Sequence, residues 1–191
     1  MACRRDSQVP LLIPLSSLLE DPGADASSVV FSRGNGVWNS SPRRFRDDVC
    51  CLAAALAGYG LREGGRAGVL GSEGYGTLRA GLAVIAAGAT LVPLDPALSD
   101  DALRRALAAS GAVHAIASDE RQLARLLALR PDLSALELLL LMSAAPSERK
   151  PAALLVETAI EVGKASLAAD RGQLRAAFAA SEGGAACLLV D

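Results

Sequence analysis

The sequence predicts an α/β fold, with a mostly parallel sheet flanked by helices. Three observations predict it. Short apolar runs alternate with helical patterns of about 10–15 residues along most of the chain. Those runs are nearly continuous in apolar residues, as in strands buried on both faces, rather than alternating apolar and polar. The helical stretches begin and end on capping residues and glycines.

In chain order, residues 1–28 read as an irregular segment, and 29–191 as one α/β unit. Val29–Ser32 and Val37–Trp38 flank Arg33-Gly34-Asn35-Gly36, a hairpin turn in which Gly and Asn tolerate positive φ. Ser41 is a helix cap with Pro42 at the first helical position; Phe45, Val49, Leu52, Leu56 and Tyr59 mark one apolar face, and Gly60 closes the helix. Ala67–Leu70 is a strand, Tyr75–Ala87 a helix ended by Gly88, and Thr90–Leu94 a strand. Ser99 caps the next helix, with Asp100 and Asp101 at its positive end, Leu103 and Leu107 inward, and Gly111 as the stop. Val113–Ala117 is a strand, Asp119–Leu129 a helix and Leu136–Met142 a strand. Ser143–Pro151 is a polar loop. Helical patterns cover Ala152–Lys164 and Gln173–Ala180, and Ala185–Val190 reads as a last buried strand.

Composition narrows the function. The chain has 191 residues, enough for one domain or a large piece of one. Its net charge of −2 leaves no electrostatic footprint for nucleic acid, and Arg43–Arg46 is only a short cluster. No apolar run approaches the roughly 18 residues that span a bilayer. The arginine pair near the start precedes an apolar stretch, but Pro10 and Pro14 interrupt it and Glu20, Asp21 and Asp25 follow, which argues against a signal peptide. Cys3, Cys50, Cys51 and Cys187 have no metal-ligand spacing and read as reduced thiols in a cytoplasmic protein.

The stretch GSEGYG (Gly71–Gly76) sits between strand and helix, where a dinucleotide-binding loop would carry G-x-G-x-x-G. Here the spacing is reversed, and Glu73 puts an anion where the pyrophosphate would approach. Asp95 stands 24 residues after Gly71, near the offset of the ribose-binding acid, but Pro96 follows it and favours a simple turn. The loop therefore reads as a structural crossover. His114, the only histidine, lies in an apolar strand and reads as a core imidazole; one histidine excludes a two-histidine metal site. Glu157 and Glu161 read as a solvated helix face, and Trp38 and Tyr59 as packing residues. No residue is assigned as catalytic, cofactor-binding or metal-binding.

The block Gly58–Ile116 is similar to a pattern of AMP-forming, adenylate-forming enzymes, "GL..GDRVAI" followed by "A.LA...AGAV.VPL.P..S...L...L..SGA". Gly65 replaces the usual Asp, and Gly68 is unusual inside a strand. Glu157–Val190 resembles the segment of bacterial long-chain fatty acyl-CoA synthetases that precedes "D.A.I.YTSGTTG.PKG", with Gly184 at the Asp and Ala185–Val190 at the strand entering the motif. The resemblance implies the N-terminal subdomain of the adenylate-forming fold, truncated before its phosphate-binding loop. The parent reaction would join a fatty acid to coenzyme A through an acyl-adenylate, using ATP and Mg²⁺. The phosphate loop, the ribose-binding Asp and the catalytic Lys of the family would lie beyond Asp191. The resemblance thus implies a fragment that binds none of these cofactors, is inactive alone, self-associates and partners with the remainder of its synthetase. A non-catalytic α/β interaction module and a Rossmann-like dinucleotide-binding domain are the alternatives.

Overall fold

The computed structural model describes residues 29–33, 36–72, 74–142 and 153–169. The segment 1–28, the centre of the hairpin turn, the polar loop and the elements expected beyond Ala169 lie outside these residues. Strands β1 (Val29–Arg33) and β2 (Gly36–Ser40) pair antiparallel, with Phe31 opposite Trp38. Helix α1 (Pro42–Gly58) starts as its sequence demands: the Ser41 hydroxyl accepts from the Arg44 N–H at 3.1 Å, and Pro42 fills a position that needs no N–H. Its buried face carries Phe45, Val49, Leu52, Ala53 and Leu56. Tyr59, expected on that face, is instead the C-cap and 37% exposed. The backbone has left the helical rotation there, at φ −85° and ψ 11°, so the spacing no longer points its ring inward.

Five parallel strands form the main sheet, in the order β4-β3-β5-β6-β7. The first three are β3 (Arg66–Leu70), β4 (Thr90–Leu94) and β5 (His114–Ala117); β6 is Leu138–Leu141 and β7 is Leu154–Leu155. Helices α2 (Tyr75–Ala86), α3 (Asp100–Ser110) and α4 (Glu120–Leu129) are the crossovers, and α5 (Val156–Ala169) follows β7. Ser99 caps α3 through the Ala102 N–H, and Gly111 ends it at φ 62°, a conformation that favours glycine. Asp119 caps α4 through the Gln122 N–H at 2.9 Å.

One departure concerns the chain after the polar loop, where the sequence predicts a helix over Ala152–Lys164. Leu154 and Leu155 first pair with Leu140 and Leu141, and the helix then starts at Val156 and runs to Ala169. The apolar Leu-Leu pair fits beside a buried strand, so sheet pairing overrides helical continuity at this end. The Ala-rich continuation sustains the helix at the other.

Helices cover both faces, which is why the strands read as apolar runs. On one face, α1, α2 and α5 pack over Ala67, Val69, Ile116 and Leu140. On the other, α3 and α4 pack over Val92, Leu94, Ala115, Ala117, Leu139 and Leu141. Full burial of each Leu, Ile or Val contributes about 1.5–3 kcal/mol. With so few aromatics, the layers close by backbone approach. A Cβ on Gly68 would lie 2.9 Å from Leu94 Cδ1 and 3.1 Å from Leu107 Cδ2, which explains a glycine inside a strand. On α5, a Cβ at Gly163 would overlap the Cys51 carbonyl oxygen of α1 outright.

Candidate functional site

In parallel sheets of this kind, ligands bind outside the carboxyl ends of the strands, where successive crossovers leave in opposite directions. That point lies between β3 and β5: β3 connects through α2 to β4 on one side, while β5 lies on the other. The residues there are the glycine loop after β3, Ser118 and Asp119 after β5, and Met142 after β6. Three ladder bonds hold the rim: Gly71 N to Leu94 O (3.4 Å), Ser118 N to Leu70 O (2.9 Å) and Met142 N to Ala117 O (2.9 Å).

The glycines of this loop serve packing and turning. A Cβ on Gly71 would meet Ser118 Cβ at 2.8 Å and Thr77 Oγ1 at 3.0 Å; one on Gly76 would meet Met142 Sδ at 3.2 Å. Gly74 is the N-cap of α2 at φ 152° and supplies no side-chain cap. Two hydroxyls at the rim bind groups within it. The Thr77 hydroxyl donates to Ser72 O at 2.7 Å, and the Ser118 hydroxyl to Asp119 Oδ2 at 2.9 Å. Asp95, weighed as a ribose-binding acid, accepts the Ala97 N–H at 2.7 Å and forms the turn that Pro96 suggests. Gly71 and Gly76 are thus close-packed against neighbouring side chains, whereas a Cβ on Gly74 would meet open space.

A polar cluster beside the loop was not legible in the sequence. Arg79 on α2 is buried, and its guanidinium reaches Asp48 of α1 (3.2 Å) and Glu157 of α5 (2.6 Å). It also lies 5.2 Å from the centre of the Tyr75 ring, while the Tyr75 hydroxyl donates to Asp48 at 3.1 Å and the ring meets Phe45 edge-on. Burial opposes the Arg79 charge, but the Glu157 hydrogen bond and the Glu157 and Asp48 carboxylates outweigh it and raise its pKa. The only sequence signal is an arginine four residues after Tyr75 on an otherwise apolar helix. Glu157 and Glu161 are both exposed, as a solvated face requires, and Glu157 is in addition an ion-pair partner. The cluster joins three helices through one guanidinium and two carboxylates, and leaves the buried Arg79 Nε without a hydrogen-bond partner.

The remaining candidates do not converge on the rim. His114 is fully buried at the other end of the sheet, at the start of β5. Cys50 and Cys51 are free thiols on α1. Burial, with Cys51 beside it, pushes the Cys50 thiol up to about 11. Among the described residues no three His, Cys, Asp or Glu side chains come together as metal ligands, and no helix is long and apolar enough to cross a membrane.

Residues 24–171 match the sequence pattern of the AMP-binding enzyme family. The chain belongs to that family. No curated protein matches it in a direct sequence comparison. Solved structures of adenylate-forming ligases share the fold. An acyl-CoA synthetase from Brucella canis superposes with a TM-score of 0.62 at 17% identity, covering 78% of this chain and 27% of its own. The anthranilate CoA ligase AuaEII, solved with anthranoyl-AMP, gives 0.59 at 20% identity, covering 65% and 23%. A chain assigned as a long-chain-fatty-acid CoA ligase from Rhodopseudomonas palustris gives 0.55 at 18%, covering 64% and 30%. The chain thus spans between about a quarter and a third of the AMP-binding enzymes it resembles.

Proposed function

We propose that residues 29–191 are the N-terminal α/β subdomain of an AMP-forming fatty acid–CoA ligase, with residues 1–28 as an irregular lead-in. The observation that carries this reading is the AMP-binding family match over residues 24–171. The substrate class rests on the similarity of Glu157–Val190 to long-chain acyl-CoA synthetases and on CoA ligases among the structural neighbours. In the reaction, a fatty acid carboxylate attacks the α-phosphate of ATP, giving acyl-adenylate and pyrophosphate; the coenzyme A thiol then displaces AMP.

This chain's share is architectural. Gly71 and Gly76 are close-packed against Ser118, Thr77 and Met142, Asp95 is engaged in a turn, and the 191 residues contain no TSGTTG stretch. ATP, Mg²⁺ and coenzyme A would be held by the partner portion of the synthetase, in the cytoplasm. The chain alone is inactive and self-associates. Pyrophosphate exchange with ATP, Mg²⁺ and fatty acids of several lengths tests this, for the chain alone and mixed with a polypeptide carrying the rest of such a ligase. The expected result is no exchange alone, and fatty-acid-dependent exchange from a monodisperse complex. Exchange that purifies with the chain itself, or a stable monomer indifferent to the added polypeptide by light scattering, would refute the reading.

A further inference from the structure

Loop 95–99 carries the chain from the carboxyl end of β4 into α3. Its oxygens converge on a side chain of a different helix. Arg125 of α4, 17% exposed, donates from Nε to Asp100 Oδ1 at 2.7 Å and from Nη1 to Pro96 O at 2.9 Å. Nη1 also donates to Gln122 Oε1 at 2.9 Å, and Nη2 donates to Leu98 O. We propose that these four oxygens form a cage for a planar guanidinium, filled by Arg125, and that this strap holds the loop and the first turn of α3 against α4.

The loop's own bonds close a turn. The Asp95 carboxylate accepts the Ala97 N–H at 2.7 Å, and the Asp95 carbonyl accepts the Leu98 N–H at 3.1 Å. Neither bond reaches α4. Arg125 does, across 25–29 residues of sequence. Its guanidinium is a rigid plane with five N–H donors, and four of them meet an oxygen here. Two of those oxygens are main-chain carbonyls, which cannot turn aside without moving the chain. A third belongs to Gln122, buried on α4 one helical turn before Arg125. The fourth, on the Asp100 carboxylate, belongs to a side chain 65% exposed, so the ion pair by itself contributes little. The hold therefore depends on the directions of the donors more than on the charge.

That distinction separates arginine from lysine. An ammonium carries three donors on one nitrogen and cannot span the carbonyls of alternate residues together with the Gln122 and Asp100 oxygens. A cage of this geometry accepts guanidinium as a free ion once the tethered group is removed. The Leu98 side chain packs into the apolar layer under α3 and α4, so release of its carbonyl loosens that contact too.

The experiment is native-state hydrogen exchange on the whole chain, read at three amides. These are Leu98, Leu103, which donates to Ser99 O at 2.9 Å, and Met142 at the sheet rim. Arg125→Ala and Arg125→Lys should each lower protection at Leu98 and Leu103 by about tenfold or more, the equivalent of one hydrogen bond to a charged group. The loss at Met142 should be smaller. In Arg125→Ala, about 50 mM guanidinium chloride, too dilute to unfold a domain, should raise Leu98 protection severalfold. The same concentration of ammonium chloride should not. An unprotected Leu98 amide in wild type, or an Arg125→Lys variant with wild-type protection, would overturn the proposal. So would a loss at Met142 equal to that at Leu98, or equal responses to guanidinium and ammonium. Should Arg125→Ala not fold, the comparison of wild type with Arg125→Lys decides alone.

Discussion

Replacing Gly163 by alanine tests the closest contact in the molecule. Its new Cβ would overlap the Cys51 carbonyl oxygen, lie 2.6 Å from the Cys51 carbonyl carbon and 3.1 Å from the Ala55 nitrogen. All three are backbone atoms of α1, so no side chain can rotate away. Ordinary contact needs roughly 3.5 Å or more, so the two helices must part by about 1 Å or more. That separation loosens Val156, Ala159 and Ile160 of α5, all buried in the layer that also holds Leu52 and Leu56. Overpacking of this severity costs about 3 kcal/mol, while the alanine returns about 1 kcal/mol of helix propensity. The net loss of about 2 kcal/mol corresponds to a melting point lower by about 4–8 °C in a chain of this size. Urea unfolding followed by circular dichroism measures it, with Ser166→Ala on the exposed side of α5 as the control. A Gly163→Ala variant as stable as wild type, or more stable, would refute the close approach of α1 and α5.

Two further substitution experiments follow. Arg79→Met should cost about 3 kcal/mol, because it leaves the Asp48 carboxylate, only 21% exposed, without its cation. Glu157→Gln should cost less than about 1 kcal/mol, since that carboxylate is 67% exposed; equal losses in urea unfolding would contradict the cluster's geometry. In a chain keeping Cys50 as its only cysteine, the native thiol should react with a disulfide reagent at neutral pH about 100-fold more slowly than in the urea-unfolded chain. That factor follows from a pKa raised from 9.0 to about 11. Equal rates would mean the thiol is not buried as described.

The fold was readable where local chemistry and packing agree. Ser41, Ser99 and Asp119 cap helices as their residue types require, and Gly88 and Gly111 stop them at positive φ. The apolar strands betray a sheet covered on both sides. What escaped depends on contacts distant in the chain. The pairing of Leu154 and Leu155 beside β6 cannot be told from the first turn of a helix by periodicity. The outward turn of Tyr59 depends on where α1 stops. Arg79 looks like any helical arginine until α1 and α5 bring carboxylates to it from 31 and 78 residues away in sequence. The Gly71–Gly76 loop was readable in part: its place between strand and helix is plain in the sequence, but Ser118 and Met142 as the side chains packed against Gly71 and Gly76 came only with the sheet order.

Strand β7 meets the sheet through two residues, whereas α5 lies along α1 over much of its length. The last described element is therefore bound to the sheet mainly through another helix. A fluctuation that frees α5 need not disturb β3, β5 and β6, but anything that displaces α1 must carry α5 with it. The two helices, separated in sequence by the entire sheet, thus form one cooperative opening unit. Its interior surface is the glycine seam at Cys51 and Gly163, with the Arg79 ion pair near one end.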